Sequence, residues 1–166
     1  MEHQAYLLLG SNLGDRHAYL RHAVRDIQLY CGSIFIRSSV YESEPWGFAT
    51  ELSFLNQAVG IHTELSAIAL LDTLLQIEKS YGRHRTGNGG YASRSIDIDI
   101  IYFDDQIINS TKLSVPHPRL HQRRFVLVPL NEIAPEFVHP ELKKTNRELL
   151  LKTTDDSMVK AMHMMA

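Results

Sequence analysis

The sequence predicts an α+β fold in which one antiparallel sheet is covered by two helices. Three observations predict it: short β-branched and apolar runs alternate with two longer runs of helical periodicity, and glycine-containing loops separate these runs. The 166 residues are 44% hydrophobic and 22% charged, the balance of a globular chain that can bury its own core. The predicted order is strand, helix, strand, strand, helix, strand.

The first three elements are a buried strand, a helix and a second strand. Residues 4–9 form a short apolar run that stops at Gly10, as a buried strand would. Asp15 is placed to cap a helix whose apolar side chains recur at the helical period, and Gly32 ends that helix. Residues 33–41 are rich in β-branched and aromatic side chains, which favours a strand.

A loop, two further strands and a second helix complete the pattern. Proline and glycine mark residues 42–47 as a loop, and residues 53–63 are predicted to form a strand. Residues 64–81 carry an apolar stripe at helical spacing. A glycine-rich loop, expected to be mobile, spans residues 83–93, and the last clear strand covers residues 95–103.

This order of elements gives two nested β-α-β crossovers, the ferredoxin-like sandwich. After the last strand, Asp104-Asp105 suits a tight turn into residues 106–108, which predicts a small hairpin. The chain beyond residue 140 is polar. We therefore expect a main domain over residues 1–140 and a partly helical C-terminal extension over residues 141–166.

Composition and charge narrow the functional class. Cys31 is the only cysteine, so no internal disulfide can form. The apolar run at residues 6–9 is too short for a signal sequence or a membrane span. A net charge of −2 without a broad basic face argues against a nucleic-acid partner. We expect a cytoplasmic monomer with neither membrane nor nucleic-acid partners.

Two basic stretches flank an acidic pair. Residues 79–96 contain four basic and no acidic residues, and residues 106–131 contain four more, again without a carboxylate. Asp97 and Asp99 lie between them. Carboxylates that hold cations, flanked by guanidinium groups, are what a metal–polyphosphate ligand requires. The alternative is a surface of uneven charge.

The acidic pair predicts a magnesium site. Asp97 and Asp99 are two apart on a predicted strand, so both project from one face, while Ile96, Ile98 and Ile100 pack inward. Two close carboxylates repel each other unless a cation joins them. Magnesium binds one or two carboxylates together with substrate phosphates, and such a pair can hold two ions. A solvated strand edge is the alternative interpretation.

Three further segments contain residues that could bind a ligand. Phe54 and Asn56 share a strand face, where a ring and an amide could stack on and hydrogen-bond to a flat heterocycle, although Phe54 could be plain core. His117 lies in a rigid Val-Pro-His-Pro segment from which it could reach a phosphate or simply face solvent. Residues 10–14 lack the Lys-Ser/Thr pair of a P-loop, which excludes that motif.

Together these motifs match a family, and the chain resembles the hydroxymethyl-dihydropterin pyrophosphokinases of the folate pathway. The most specific match is residues 94–101, Arg-Ser-Ile-Asp-Ile-Asp-Ile-Ile, which fits the family signature Arg-x-x-Asp-hydrophobic-Asp. The resemblance covers residues 1–140 approximately, in colinear order. The other matching segments are Gly10-Ser11-Asn12-Leu13, Phe54-Leu55-Asn56, Gly82-Arg83-His84-Arg85, Val115-Pro116-His117 and Arg123-Arg124-Phe125.

The resemblance implies a ferredoxin-like fold and an ATP-dependent transferase. Its members move pyrophosphate from ATP to 6-hydroxymethyl-7,8-dihydropterin and release AMP. It further implies ATP as cosubstrate, two Mg²⁺ ions held by Asp97 and Asp99, and a catalytic set of these two residues with Arg83 and Arg94. In this arrangement the hydroxymethyl oxygen of the pterin attacks the β-phosphorus.

The resemblance also implies two binding sites. Phe54 and Phe125 would sandwich the pterin while Asn56 contacts its edge. The full implied pterin set is Ser43, Glu44, Trp46, Phe54, Asn56, Tyr91, Asp97 and Phe125. The implied ATP set is Leu71, Glu78 and Ile100 on the adenosine side, and Arg83, Arg85, Arg94, Lys112, Ser114, His117 and Arg123 toward the phosphates.

The sequence departs from the family pattern at several positions. Residues 91–93 are Tyr-Ala-Ser where Trp-Gly-Pro is frequent, Lys112 stands where arginine is common, and Glu44 where proline is common. Two alternatives therefore stay open. One is another Asp-x-Asp two-metal enzyme, a nucleotidyltransferase or phosphohydrolase, and the other is a non-catalytic module that binds a pterin or a nucleotide.

Overall fold

A computed structural model describes residues 1–43, 53–82 and 95–162. In these ranges no helix is both long and apolar enough to cross a membrane. In chain order the elements are β1 (His3–Ser11), α1 (Arg16–Tyr30), β2 (Ser33–Arg37), β3 (Tyr41–Ser43), β4 (Phe54–Thr63), α2 (Ala67–Ser80), β5 (Asp97–Phe103), β6 (Ile108–Asn109), β7 (Ser114–Val115), a 3₁₀ turn (Leu120–Gln122), α3 (Arg124–Ile133), α4 (Asn146–Lys152) and β8 (Val159–Ala161).

The main sheet is antiparallel throughout, in the order β5-β1-β4-β3-β8. β1 pairs with β4 along its whole length, from His3 opposite Thr63 to Ser11 opposite Leu55, and with β5 on its other side. β2 pairs with residues 59–62 of β4, whereas β3 pairs with residues 54–56 of the same strand. β6 and β7 form a separate two-stranded ribbon. The predicted ferredoxin-like α+β fold is confirmed.

Alternating side chains of β1 divide the core into two layers. Leu7 and Leu9 pack into the cluster that contains residues of α1 and α2, whereas Tyr6 and Leu8 join a second cluster with residues of α3 and α4. This is the period of two expected of a strand covered on both faces. The fold predicted from the sequence had two helices covering the sheet and did not include α3, which contains Pro129.

Two element boundaries differ from the prediction for local reasons. Asp15 caps α1 as predicted, since its carboxylate accepts the N–H of Ala18. α2 begins at residue 67 rather than 64 because the Ser66 hydroxyl caps it. The single strand predicted over residues 33–41 is two strands. At the break, the Ser38 hydroxyl accepts the N–H of Ala58 at 2.9 Å in place of a backbone group.

The hairpin predicted after β5 is wrong. The turn at Asp104-Asp105 exists, with the N–H of Gln106 donating to the carbonyl of Phe103 at 3.1 Å, but Ile108 pairs with Val115 of β7 instead of with β5. The N–H of His117 donates to the carbonyl of Ile101 at 3.0 Å. The segment after β7 therefore takes the outer edge of β5 that the predicted hairpin would have used.

The C-terminal residues contribute a helix and a strand. α4 begins with a capping box of Thr145 and Glu148, and its first residue, Asn146, accepts a hydrogen bond from the Tyr102 hydroxyl at 2.7 Å. β8 pairs with β3 and becomes the outermost strand of the described sheet on that side. Both elements lie within the proposed extension, and the division at residue 140 stays a prediction.

Candidate active site

A row of three residues crosses the sheet where β1 ends and β5 begins. Gly10 pairs with Asp97 on one side and with Asn56 on the other. Directly paired residues of antiparallel strands lie on the same face. Asp97, Gly10 and Asn56 thus share one face, and Asp99, opposite Leu8, follows on the same face of β5. Leu8 belongs to the α3 layer, so this is the face on which α3 packs.

The two aspartates lie on one face of β5 at a spacing of two residues. Asp97 and Asp99 are half-buried, whereas Ile96, Ile98 and Ile100 are almost fully buried in the core on the opposite face. Within residues 1–43, 53–82 and 95–162, no three His, Cys, Asp or Glu side chains are grouped so as to hold a metal. A cation bound here would therefore rely on two carboxylates and on ligand oxygens, which is the habit of Mg²⁺.

The amide of Asn56 is held in one orientation. The Ser43 hydroxyl donates to its Oδ1 at 2.9 Å, and its Nδ2 donates to the carbonyl of Leu9 at 3.4 Å. Asn56 is 3% exposed, and Phe54 is half-buried two residues before it on the same face. A Cβ on Gly10 would lie 2.9 Å from the Asn56 Nδ2. From the sequence, Gly10 was predicted only to end the first strand, and this role was missed.

The segment between β7 and α3 brings a histidine and an arginine toward the acidic pair. Burial, together with the positive charges of Arg123 and Arg119, lowers the pKa of His117 to about 4, although the carboxylate of Asp97 acts in the opposite direction. His117 is therefore neutral at pH 7. Because the charges of Asp97 and Arg123 both act on the pKa of the His117 imidazole, the three side chains are close enough to interact electrostatically.

Arg123 and Phe125 mark the start of α3. Arg123 is 8% exposed, and its Cζ lies 5.7 Å from the centroid of the Phe125 ring. This distance is within the range of a cation–π contact. Phe125 is half-buried and projects from the first turn of the helix.

Glu78 reaches β5 from the opposite side. It lies near the end of α2, is 2% exposed, and its Oε2 accepts the backbone N–H of Ile98 at 2.7 Å. β5 is the outermost strand on this side of the described sheet, so the Glu78 carboxylate satisfies an N–H on its outer edge. Sequence reasoning did not find this contact, because it joins a helix to a strand.

The remaining described residues of the predicted nucleotide set fall into two groups. Leu71 packs against the core cluster that contains Ile100, on the α2 side of the sheet. Ser114 and His117 line one cavity of about 160 Å³, and Lys112 is exposed in the turn before β7.

Six predicted site residues lie outside the described ranges. They are Glu44, Trp46, Arg83, Arg85, Tyr91 and Arg94. Their assignments stay predictions.

Comparison with known proteins gives one family. The family model described as 7,8-dihydro-6-hydroxymethylpterin-pyrophosphokinase matches residues 6–135. A relative from Porphyromonas gingivalis, named 2-amino-4-hydroxy-6-hydroxymethyldihydropteridine pyrophosphokinase, is 43% identical over 143 residues, covering 85% of this chain and 97% of its own. Relatives of the same name from Bacillus subtilis (43% over 134 residues, 80% of this chain and 79% of the relative) and Aquifex aeolicus (39% over 149 residues, 90% and 91%) agree.

Solved structures agree in fold. A crystal structure described as HPPK-DHPS in complex with substrates has a TM-score of 0.73 at 17% identity, over 91% of this chain and 43% of that one. A second, of wild-type Plasmodium falciparum HPPK-DHPS with pterin and p-hydroxybenzoate, has a TM-score of 0.73 at 19% identity, over 92% and 42%. This chain spans less than half the length of those two chains, and at these identities the likeness concerns the fold alone.

Proposed function

This chain belongs to the 7,8-dihydro-6-hydroxymethylpterin-pyrophosphokinase family, and on that premise we propose how its residues divide the work of the reaction. The chain transfers the pyrophosphoryl group of ATP to 6-hydroxymethyl-7,8-dihydropterin and releases AMP, a step of folate biosynthesis. Both substrates are small molecules. The observation that carries the proposal is the row of Asp97, Gly10 and Asn56, with Asp99 beside it on β5.

We assign Mg²⁺ to Asp97 and Asp99. Their carboxylates are hard oxygen donors on one strand face, and both are half-buried. When bound, two Mg²⁺ ions would neutralise the triphosphate oxygens and make the β-phosphorus more electrophilic. The proposed assignment uses the two carboxylates alone, because the phosphate oxygens of ATP would complete the coordination.

The pterin is assigned to the Asn56 end of the row. One N–H and one oxygen lone pair of the Asn56 amide are used by Leu9 and Ser43, which leaves a donor and an acceptor for the edge of a heterocycle. Phe54 and Phe125 would stack on the two faces of the ring. Because Gly10 alone separates Asn56 from Asp97, a pterin held by Asn56 would extend its hydroxymethyl group toward Asp97.

The nucleotide phosphates are assigned to the His117 and Arg123 side. The buried guanidinium of Arg123 supplies positive charge, and the neutral imidazole of His117 can donate one N–H to a phosphate oxygen without adding charge. Lys112 and Ser114 belong to the same proposed set, as do Arg83, Arg85 and Arg94, which would neutralise charge on the leaving group. Leu71, Glu78 and Ile100 stay with the proposed adenosine side.

In the proposed reaction the hydroxymethyl oxygen forms a bond to the β-phosphorus. The bond between that phosphorus and the α,β-bridging oxygen breaks, AMP leaves with the electron pair, and the hydroxyl proton passes to solvent water. Asp97 would orient the attacking hydroxyl. Phosphoryl transfer asks a protein mainly for alignment and charge stabilisation, which these assignments provide.

The test is a product assay on the purified chain with Mg²⁺, ATP and 6-hydroxymethyl-7,8-dihydropterin. AMP and a diphosphorylated pterin are the expected products. Asp97→Asn and Asp99→Asn should each lower AMP formation by about 10²–10³-fold, with circular dichroism unchanged. Asp105→Asn, at an exposed turn next to β5, is the matched control. Undiminished turnover in either site variant would reject the metal assignment.

The two open alternatives give different products. Pyrophosphate or inorganic phosphate in place of AMP would indicate a nucleotidyltransferase or a phosphohydrolase. Calorimetric binding of pterin or nucleotide without any AMP would indicate a non-catalytic module. Membership of the pyrophosphokinase family does not favour either.

A further inference from the structure

The helix that carries Phe125 has no cap of its own. α3 begins at Arg124, and the preceding residue, Arg123, makes no side-chain capping hydrogen bond to the helix. Arginine has no acceptor with which to make one. The first N–H groups of a helix need acceptors, and a helix end without them frays.

Asp155 supplies the missing acceptor from a distant part of the chain. Its Oδ2 accepts the N–H of Arg124 at 2.8 Å, and its Oδ1 accepts the N–H of Ser157 at 3.0 Å. The Arg124 Nε donates in return to the carbonyl of Ser157 at 3.1 Å. Residues 155–157 therefore hold the first residue of α3 through both its backbone and its side chain.

The Asp155 carboxylate is suited to this task because it is charged. Its burial opposes ionisation, but the hydrogen bonds from Arg124 and Ser157 and the charge of Arg124 outweigh that effect and lower its pKa. A carboxylate at a helix N-terminus also interacts favourably with the helix dipole.

The same segment continues to the other wall of the proposed pterin site. Directly after residue 157 the chain forms β8, in which Val159 pairs with Ser43, and the N–H of Met162 donates to the carbonyl of Val40 at 2.8 Å. Ser43 is the residue that orients the Asn56 amide. Residues 155–162 thus contact both the helix end that bears Phe125 and the strand that supports Asn56.

We infer that Asp155 is a positioning residue for the pterin: it caps α3 and so fixes the Phe125 ring at its distance from Phe54 and Asn56. This inference rests on the proposed function, which places the pterin between these rings. It concerns a residue beyond positions 6–135, the part of the chain that matches the family model.

Phe125 is the second residue of α3, inside the turn that the cap holds. When that turn frays, the ring loses its fixed position. Pterin binding must then order the ring again, which weakens the measured affinity. Loss of a helix cap changes the equilibrium of a helix end by roughly three- to tenfold. The expected effect of Asp155→Ala is a rise of that size in the dissociation constant of the pterin.

The experiment measures that dissociation constant by calorimetry, with Mg²⁺ and a saturating non-hydrolysable ATP analogue, on the full chain. Asp155→Ala is compared with Asp156→Ala, which removes the same charge at the neighbouring exposed position. Asp155→Asn is the partial-rescue variant, because its single amide oxygen can still accept the Arg124 N–H, whereas the charge and the second acceptor, which the Ser157 N–H uses, are lost. Hydrogen exchange at the Arg124 amide reports the cap itself.

Support requires weaker pterin binding and faster Arg124 exchange in Asp155→Ala, with Asp156→Ala close to the unsubstituted chain and Asp155→Asn between the two. Equal pterin affinity in Asp155→Ala and Asp156→Ala would overturn the inference, as would a loss in Asp155→Asn as large as in Asp155→Ala. If Asp155→Ala does not fold, Asp155→Glu replaces it, since it keeps the charge and displaces the carboxylate from the amide. Unchanged pterin affinity in folded Asp155→Glu would count against the inference.

Failure of the proposed function has a different signature. In that case the unsubstituted chain forms no AMP and binds no pterin, whatever stands at position 155. The two failures are distinguished by the first measurement on the unsubstituted chain.

Discussion

The carboxylate of Glu78 accepts the backbone N–H of Ile98 at 2.7 Å, in the strand position between Asp97 and Asp99. Glu78 is 2% exposed, so this hydrogen bond is shielded from water. It ties α2 to the outer edge of β5 at the point where the strand carries its two acidic side chains. The spacing of the proposed metal ligands therefore depends in part on a helix that packs on the opposite face of the sheet.

Glu78→Leu should weaken both the fold and the use of Mg²⁺. The substitution leaves the Ile98 N–H without its acceptor, which costs about 1–3 kcal/mol in the free energy of unfolding. The Mg²⁺ concentration for half-maximal AMP formation should rise by about fivefold or more, because β5 is less firmly held. Urea denaturation and a Mg²⁺ titration measure the two effects.

Glu78→Gln is the conservative partner of that variant, since its amide oxygen still accepts a hydrogen bond. It should retain most of the stability and most of the Mg²⁺ response. Glu64→Gln, at an exposed position before α2, controls for the lost charge. A Glu78→Leu protein with an unchanged Mg²⁺ midpoint would show that the contact serves stability alone.

Local periodicity was enough to predict most of the sheet but not the helix on its second face. Ile98 and Ile100 alternate with acidic residues, so the strand and its buried side could be read from adjacent positions. α3 also has apolar residues at helical spacing, Val126, Leu127 and Leu130, but its start and its interior carry signals against a helix. It has no Ser, Thr, Asp or Asn at its N-cap, it contains Pro129, and its cap comes from Asp155, which no local rule connects to it.

The candidate site, too, could be predicted from local patterns only in part. That Asp97 shares a strand face with Asp99, and Phe54 with Asn56, could be predicted because each pair lies on one strand at a spacing of two. The place of Gly10 between Asp97 and Asn56 depends on the register of β1 with two strands that are remote in sequence. Register of this kind is fixed by the packing of the whole sheet, which a local pattern does not contain.

Ser43→Ala should raise the KM for the pterin with little effect on the KM for ATP. The variant removes the hydroxyl that donates to the Asn56 Oδ1, so the buried amide loses one of its two fixed contacts. A net hydrogen bond of about 1 kcal/mol corresponds to a change of roughly fivefold. Ser80→Ala, at an exposed position of α2, is the control. Steady-state kinetics with each substrate varied in turn measures the two KM values. An equal rise in both would contradict this explanation.

Stability should fall on acidification because of His139 and His117, since burial lowers the pKa of both. His139 is 4% exposed, and its Nδ1 accepts the N–H groups of Glu141 and Leu142 at 3.1 and 3.0 Å. Burial lowers its pKa, the nearby His121 lowers it further, and Glu141 opposes them. The unfolded chain, in which histidine titrates near about 6.5, therefore binds a proton that the folded chain resists, and the free energy of unfolding decreases as pH falls below that value.

His139→Asn should reduce this pH dependence. Its amide oxygen can accept an N–H in the same turn, and it does not titrate between pH 5 and 7.5. Urea denaturation at pH 7.5 and pH 5.5 gives the difference in unfolding free energy for each protein. His22→Asn, at an exposed position of α1, is the matched control. An equal pH dependence in His139→Asn and the unsubstituted chain would exclude His139 as one of its sources.

Gly10→Ala should impair pterin binding through Asn56. The new methyl group would lie 2.9 Å from the Asn56 Nδ2, closer than such atoms approach, and the amide has little room to yield because Ser43 holds its oxygen. We expect a KM for the pterin that is about tenfold higher and a free energy of unfolding lower by about 1–3 kcal/mol. In the double variant with Asn56→Ala the clash is absent, so the second substitution should add little to the KM of Asn56→Ala alone. A double-mutant cycle measures this coupling, and fully additive effects on the pterin KM would mean that Gly10 acts independently of the amide.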